Sequence, residues 1–145
     1  MARVSIYLNF PRSTEQAFLF YRSVFGGDFL GPIHRFSDIP AQPDHPPLAE
    51  ADRNLVMHVE LALPGGCVLM GTDAPESMGF SVLQGNNVHI SIEPDSRGET
   101  ERLFQALSCD GHVEMPLQDM FWGAYFASFT DRFGICWMLN CNSKE

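Results

Sequence analysis

The chain alternates short apolar segments with turn residues, and two stretches repeat an apolar residue every three or four positions. Segments rich in aromatic and β-branched residues, bounded by Gly, Pro and Asp, predict β-strands. They lie at 4–10, 28–36, 55–63, 67–72, 87–93, 113–122, 124–130 and 135–140. Two predicted helices follow Ser13 and Ser96, whose capping boxes are completed by Gln16 and Glu99. The predicted order is therefore β-α-β-β-β, a polar linker at 73–86, and β-α-β-β-β again.

Proline interrupts the first half of this order. Residues 37–54 contain several charged side chains together with Pro40, Pro43, Pro46 and Pro47. Because proline lacks a backbone N–H and has a fixed φ, this composition does not pair within a sheet or continue a helix. We therefore expect a loop or flap at 37–54, and the sequence does not indicate its role.

The two halves match each other as an internal repeat. The segment GCVLM at 66–70 matches GICWM at 134–138, and Tyr7 and His89 stand at similar distances before the two predicted helices. A repeat of this kind indicates two equivalent modules, 1–73 and 87–145, within a single domain 1–145. One module alone would leave a sheet face open to water. We therefore expect an α+β fold in which two βαβββ modules form curved mixed sheets around a shared cavity.

Charge and cysteine content exclude several classes of partner. A formal net charge of -9, with few and scattered basic residues, disfavours nucleic acid and anionic membrane surfaces. No apolar run approaches the ~20 residues of a membrane span, and the N-terminus lacks the apolar region of a signal peptide. The four cysteines form no C-x-x-C pair. We therefore expect reduced thiols in a cytoplasmic protein whose partner is a small molecule or another protein.

Motifs at both ends of the chain resemble one superfamily. They are YLNF at 7–10, a helix ending in FYRSVFG at 20–26, and QDMFWGAYFASFTDRFGICWMLN at 118–140. With the paired βαβββ order they resemble the vicinal oxygen chelate superfamily, which includes glyoxalase I, extradiol dioxygenases and bleomycin- and fosfomycin-resistance proteins. Within it they look like the PhnB-like branch, often labelled demethylubiquinone methyltransferase-like. We expect no methyltransferase, because no Gly-rich strand-to-helix turn is present to bind a nucleotide-type cofactor.

The resemblance implies where a metal would bind, and this chain departs from that pattern. Metal-dependent members take ligands from the first and last strands of each half. His89 matches a position that usually supplies a histidine, and its counterpart in the first half is Tyr7 or Ile6. The expected glutamates are Met70 and Met138 here, and a thioether is a poor ligand for Zn, Mn or Fe. We therefore expect no cofactor and no metal at the usual ligands, and the resemblance implies a homodimer.

Strand alternation groups several candidate pocket residues. Cys136, Met138 and Asn140 share one face of the last strand, which the repeat predicts to be concave. Methionine adapts to irregular apolar ligands, and asparagine can orient a polar group. The alternative is a filled core that holds no ligand. The expected pocket comprises Tyr7, Met70, His89, Trp122, Cys136, Met138 and Asn140.

Trp122 lies at a segment break and has two interpretations. It either caps the mouth of the cavity, with Gln118 and Asp119 as the nearest exposed polar candidates, or lies buried in a dimer interface, where tryptophan is favoured. The DRFG segment at 131–134 is typical of a turn, and we assign it a structural role only.

The histidines differ in how strongly they indicate chemistry. His89 is a candidate general base or hydrogen-bond donor, because imidazole titrates near neutrality; alternatively, neighbours satisfy both of its ring nitrogens. His58 shares a strand face with Glu60, an arrangement that suits metal ligation or acid–base chemistry, but we expect a solvated face there. Little functional signal is carried by His34, His45 and His112.

Two functions from different classes are compatible with these residues. The first is binding of a small, largely apolar molecule without the usual metal, as in the antibiotic-binding relatives. The second is a lyase, isomerase or dioxygenase that works through His89, with an unusual metal ion or none. The methionines at both expected glutamate positions favour the first.

Overall fold

The β-α-β-β-β order occurs twice along the chain in a computed structural model, which describes residues 2–40, 43–44 and 47–145. The chain divides into two units, Met1–Val82 and Leu83–Glu145, and the modules expected at 1–73 and 87–145 fall one within each. Each unit follows the order β-α-β-β-β. The α+β class and the two βαβββ modules are therefore confirmed. His45 lies outside the described residues.

The first unit packs a helix on a four-stranded mixed sheet of strand order β1-β4-β3-β2. Strand β1 runs parallel to β4, while β3 runs antiparallel to both β4 and β2. The elements in chain order are β1 (Ile6–Phe10), α1 (Thr14–Phe25), β2 (His34–Arg35), β3 (Val56–Ala62) and β4 (Val68–Asp73). Short 3-10 turns lie at Phe36–Asp38, Glu50–Asp52, Pro64–Gly66 and Glu76–Met78.

The second unit repeats this topology with strand order β5-β8-β7-β6. Strand β5 runs parallel to β8, and β7 runs antiparallel to both β8 and β6. The elements are β5 (Ile90–Ile92), α2 (Arg97–Ser108), β6 (His112–Asp119), β7 (Tyr125–Thr130) and β8 (Cys136–Cys141). No helix in the described part of the chain is long and apolar enough to cross a membrane.

Each helix buries one side against its own sheet. In β4, Gly71 lets the ring of Phe18 lie directly against the strand, because a side chain at this position would collide with that ring. In the second unit the rings of Phe104 and Phe129 meet edge to face with centroids 5.7 Å apart. The side chains that face the helices are therefore the core of each unit, and the opposite faces of the sheets are left for other contacts.

Asp73 and Asp131, two of the three buried carboxylates in the described residues, hold elements of their units together. Asp73 accepts hydrogen bonds from the backbone N–H of Thr14 (3.0 Å) and of Val56 (2.8 Å), so one side chain joins the starts of α1 and β3. The capping box predicted at Ser13 is wrong, since Ser13 makes no side-chain cap bond and Asp73 satisfies the next N–H instead. At Ser96 the side chain does accept from Glu99 N. The second buried carboxylate, Asp131, lies in the turn before β8.

Two predicted strands are much shorter in the structure. The segment 28–36 contributes only β2 and one isolated bridge between Phe29 and Leu61. The segment 87–93 contributes only β5. In both cases an apolar pattern extends beyond the residues that have a neighbouring strand to pair with.

The register also corrects the repeat. Met70 pairs with Tyr7, but Met138 pairs with Ser91, so Ser91 rather than His89 is the structural counterpart of Tyr7. The helices agree, because the buried sets have the same spacing when Tyr21 is matched with Leu107 rather than with Phe104. The matching residues are Thr14, Ala17 and Tyr21 in α1, which also buries Phe18 and Val24, and Thr100, Leu103 and Leu107 in α2.

Candidate functional site

The first unit presents three site residues in one row on the sheet face opposite α1. Strand β4 lies between β1 and β3, so Met70 has Tyr7 as its register partner on one side and Glu60 on the other. Tyr7 is 47% exposed, and Met70 is half-buried. Because side chains alternate along a strand, Gly71 beside Met70 faces the helix and the row faces away from it.

A chain of polar contacts runs across this row. The hydroxyl oxygen of Tyr7 lies 3.4 Å from Nδ1 of His58, and the two ring centroids are 5.8 Å apart. Nε2 of His58 lies 3.4 Å from Oε1 of Glu60, and the guanidinium of Arg3 is 4.0 Å from the same oxygen. We call the three linked side chains the Tyr7–His58–Glu60 chain.

The sequence alone did not predict the Tyr7–His58–Glu60 chain. His58 and Glu60 were expected to form a solvated strand face, yet only 32% of the His58 side chain and 25% of the Glu60 side chain are exposed, and they contact each other. The alternation of polar residues along β3 does predict that they share a face. The missing signal is the parallel pairing of β1 with β4, which brings Tyr7 within reach of His58.

The second unit groups Met138 and Asn140 on the sheet face opposite α2. Met138 pairs with Ser128 and Asn140 pairs with Phe126 across β7 and β8, so all four side chains point to the same side. Trp137, which precedes Met138 in the strand, is fully buried toward the helix. Met138 and Asn140 are half-buried.

Trp122 stands at one end of this face. It belongs to the hairpin turn between β6 and β7, which is closed by a 2.8 Å hydrogen bond from Met120 N to Ala124 O. Its ring meets that of Phe126 at 71° with centroids 6.0 Å apart. Trp122 is 52% exposed and its neighbour Phe121 is 97% exposed, so the turn presents two large aromatic side chains to solvent.

Cys136 and His89 occupy different surroundings from Met138. Cys136 is buried, and its thiol lies 3.6 Å from the carbonyl oxygen of Gly85 in the linker and 3.7 Å from the hydroxyl of Thr130. The linker therefore passes close to Cys136. His89 is half-buried and precedes β5 by one residue. Roles for both residues in a pocket stay predictions.

Asp119 and Gln118, the polar candidates next to Trp122, form hydrogen bonds within the protein. Asp119 receives two hydrogen bonds from the guanidinium of Arg97, at 2.7 and 3.1 Å, and these bonds lower the pKa of Asp119. The same guanidinium lies 3.7 Å from the ring centroid of Tyr125. Burial and the hydrogen bond to Glu101 raise the pKa of Tyr125. Gln118 donates to the carbonyl of Pro116 at 3.1 Å.

The described ends of the Pro-rich stretch 37–54 are fixed to the first unit. Asp52 accepts a 2.7 Å hydrogen bond from Ser77 and pairs with Arg12 at 2.9 Å. Just before the stretch, Arg35 forms a two-pronged ion pair with Glu15 at 3.0 and 2.8 Å. These contacts anchor both ends of the expected loop against α1 and the linker.

Comparison with known proteins decides the family. Residues 7–139 match the Glyoxalase/Bleomycin resistance protein/Dioxygenase superfamily. The chain belongs to this superfamily. Its solved relatives include protein PA1353 from Pseudomonas aeruginosa, which is 34% identical, covers 97% of this chain and 98% of its own, and superposes with a TM-score of 0.81.

Two more relatives extend the similarity. The PhnB protein from Bacillus cereus has the same fold, with a TM-score of 0.74 and 22% identity over 97% of this chain and 99% of its own. Protein YjdN from Escherichia coli strain K12 is 25% identical over 98% of this chain and 97% of its own length. The similarity to all three therefore spans both units of the chain.

The residues present do not fit the metal that the superfamily implies. Met70 has Tyr7 and Glu60 as its register partners, while Met138 has Ser91 and Ser128. Within the described residues, no group of three or more His, Cys, Asp or Glu side chains is placed to hold an ion. A catalytic divalent ion needs about three such ligands, so we derive no step through a metal.

Proposed function

We propose that this superfamily member binds a small, largely apolar molecule on the sheet face opposite α2, without a metal ion. The observation that carries the proposal is the exposure of Trp122, 52% exposed beside Phe126 at the end of that face. Large exposed aromatic side chains grouped together are typical of binding surfaces. They offer a ligand a broad rigid contact with little loss of conformational entropy.

The rest of the face suits an apolar ligand that carries a polar group. Met138 offers a flexible, polarisable side chain that adapts its shape to a partner. Asn140 lies two residues further along β8 on the same face and is half-buried, and its side-chain amide supplies hydrogen-bonding atoms that can orient such a group. The expected pocket residues Trp122, Met138 and Asn140 therefore act together in this proposal.

The proposal is tested with 8-anilinonaphthalene-1-sulfonate (ANS), an apolar aromatic probe with a polar group. We expect ANS to raise the melting temperature of the protein, and Trp122→Ala to weaken ANS binding at least about tenfold, since truncation of a tryptophan that a binding surface depends on costs about 2 kcal/mol. The matched control is Phe80→Ala in the first unit, because Phe80 is also 52% exposed. Equal loss in both variants, or no loss in Trp122→Ala, contradicts the proposal.

The enzymatic alternative through His89 has less support. Ser91, and not His89, is the residue opposite Met138, so the argument that matched His89 with Tyr7 by the repeat no longer applies. A turnover reaction abolished by His89→Ala would favour this alternative.

We extend the proposal to assembly and location. The edge strand β6 exposes Val113 (38%) and Met115 (37%), and apolar residues on a sheet edge support pairing with a second copy. Cys67, Cys109, Cys136 and Cys141 are free thiols, which supports a reducing, cytoplasmic location. Light scattering coupled to size-exclusion chromatography tests the homodimer: a mass of one chain contradicts it.

A further inference from the structure

We propose that the Tyr7–His58–Glu60 chain is a proton relay that binds the hydroxyl group of a small apolar molecule and accepts its proton at Tyr7. These residues lie in the first unit, whereas Trp122 and Met138 lie in the second. The inference therefore goes beyond the proposed function and stands on different observations.

The contacts favour one tautomer of His58. Glu60 lies 3.4 Å from Nε2, and because a carboxylate cannot donate, this contact favours the ring that carries its proton on Nε2. In the neutral ring this leaves the lone pair on Nδ1, which accepts from the hydroxyl of Tyr7. Glu60 thus orients His58, and His58 acts as a base toward Tyr7.

The proton path balances without any co-reactant. As the O–H bond of the ligand breaks, its proton joins the oxygen of Tyr7, and the Tyr7 proton moves to Nδ1 of His58. The ligand keeps the electron pair as an oxyanion, and the imidazolium that forms is stabilised by the Glu60 carboxylate. Tyr7 is the group that touches the ligand, and His58 and Glu60 are positioning residues.

The surroundings define the chemical class of the ligand. Tyr7 is 47% exposed, so an incoming molecule can reach its side chain. Met70 lies between Tyr7 and Glu60 in the register, so an apolar side chain lies beside the relay. An apolar body that carries one hydroxyl group fits this combination.

Nitration by tetranitromethane tests the relay without any ligand, because the reagent attacks the phenolate form of tyrosine. The chain has three tyrosines, and two serve as internal controls. Tyr21 is fully buried, and the pKa of Tyr125 is raised by burial and by Glu101. We expect Tyr7 to react first at about pH 8 and faster than N-acetyltyrosinamide, with the site identified by peptide mass spectrometry.

Variants separate proton transfer from a structural hydrogen bond. We expect His58→Ala to slow nitration of Tyr7 at least about tenfold and Glu60→Gln to slow it to a smaller extent. His58→Gln keeps a hydrogen-bond acceptor but takes up no proton, so it should be as slow as His58→Ala. His112→Ala, which removes an exposed histidine in the other unit, should leave the rate unchanged.

A Tyr7 rate equal to that of N-acetyltyrosinamide, or one that His58→Gln preserves, overturns the relay. A second experiment tests the chemical class of the ligand. We expect benzyl alcohol to protect Tyr7 from nitration more than toluene does at equal concentration. Equal protection overturns hydroxyl recognition. Because neither assay uses ANS or Trp122, a failure here is distinguishable from a failure of the proposed function.

Discussion

The indole N–H of Trp137 donates a 2.8 Å hydrogen bond to Oδ2 of Asp131, and both residues are buried. The other carboxylate oxygen accepts from the backbone N–H of Phe133 (2.8 Å) and of Ile135 (3.0 Å). One aspartate therefore shapes the turn before β8 and fixes the largest side chain in the core of the second unit. This geometry explains why the DRFG turn and the tryptophan occur together in the sequence.

We expect Asp131→Ala to lower the free energy of unfolding by about 3 kcal/mol, because three donors lose their acceptor and the buried indole N–H is left unsatisfied. Urea unfolding followed by circular dichroism measures the change. Asp95→Ala, at an exposed position, is the control and should change stability by less than about 0.5 kcal/mol. A similar small change for Asp131→Ala would show that the carboxylate does not hold the turn.

The contact between Gly71 and Phe18 predicts opposite effects for two glycine-to-alanine changes. A Cβ at Gly71 would meet the buried Phe18 ring and Thr14, whereas a Cβ at Gly98 in α2 meets nothing within 4 Å. Gly71→Ala should destabilise by about 2 kcal/mol through overpacking. Gly98→Ala should stabilise by about 0.5 kcal/mol through higher helix propensity. Thermal unfolding of both variants measures this, and effects of the same sign contradict the packing.

The carboxylate that anchors the Pro-rich stretch predicts a pH dependence of stability. The hydrogen bond from Ser77 and the guanidinium of Arg12 hold the pKa of Asp52 below its usual range. A carboxyl with a lowered folded-state pKa stabilises the fold above its unfolded-state pKa, about 3.9, and loses this contribution as the pH falls through the folded-state value.

We therefore expect Asp52→Asn to be less stable than the parent protein at neutral pH, and the difference to shrink as the pH falls below about 4. Melting temperatures across this range measure it. Asp44→Asn, an exposed position in the same stretch, should match the parent throughout. A difference for Asp52→Asn that is the same at neutral and acid pH would contradict the ion pair.

The side chains at the expected ligand positions predict a low metal content. Elemental analysis of protein purified without a histidine tag should find well below one Zn, Mn or Fe per chain, since Met70 and Met138 replace hard ligands. The same result is expected for His89→Ala. Near-stoichiometric metal that disappears in His89→Ala would contradict this interpretation of the two methionines.

The sequence predicted the two modules because their hydrophobic pattern and turn residues act locally. The matched GCVLM and GICWM segments lead into β4 and β8, which begin at the third residue of each segment and hold Met70 and Met138 at equivalent places. The sequence correctly placed Trp122 at a break between segments. It left open whether Trp122 caps the mouth of a cavity or lies buried in a dimer interface. These features depend on spacing along the chain, which the sequence displays directly.

The rest depends on contacts between distant residues. The predicted Ser13 cap was wrong: the first backbone N–H of α1 donates to Asp73, a residue 59 positions away along the chain. The match of His89 to Tyr7 or Ile6 was wrong, because strand pairing makes Ser91 and Ile90 their counterparts. The sequence comparison had aligned the two helices by their aromatic residues, whereas their buried residues give a different alignment. For His58 we predicted only a solvated strand face. Its partner Tyr7 is 51 residues away along the chain, and strand pairing brings the two side chains together.

The central claim is that the face around Met138 binds an apolar molecule without a metal ion. A titration of ANS into protein labelled with ¹³C at the methionine methyl groups, after dialysis against EDTA, tests it most directly. The Met138 signal, assigned with Met138→Leu, should shift progressively and saturate, while the signal of Met78 in the linker should stay in place. A Met138 signal that does not move while ANS binds, or that moves only after a divalent ion is restored, would contradict the claim.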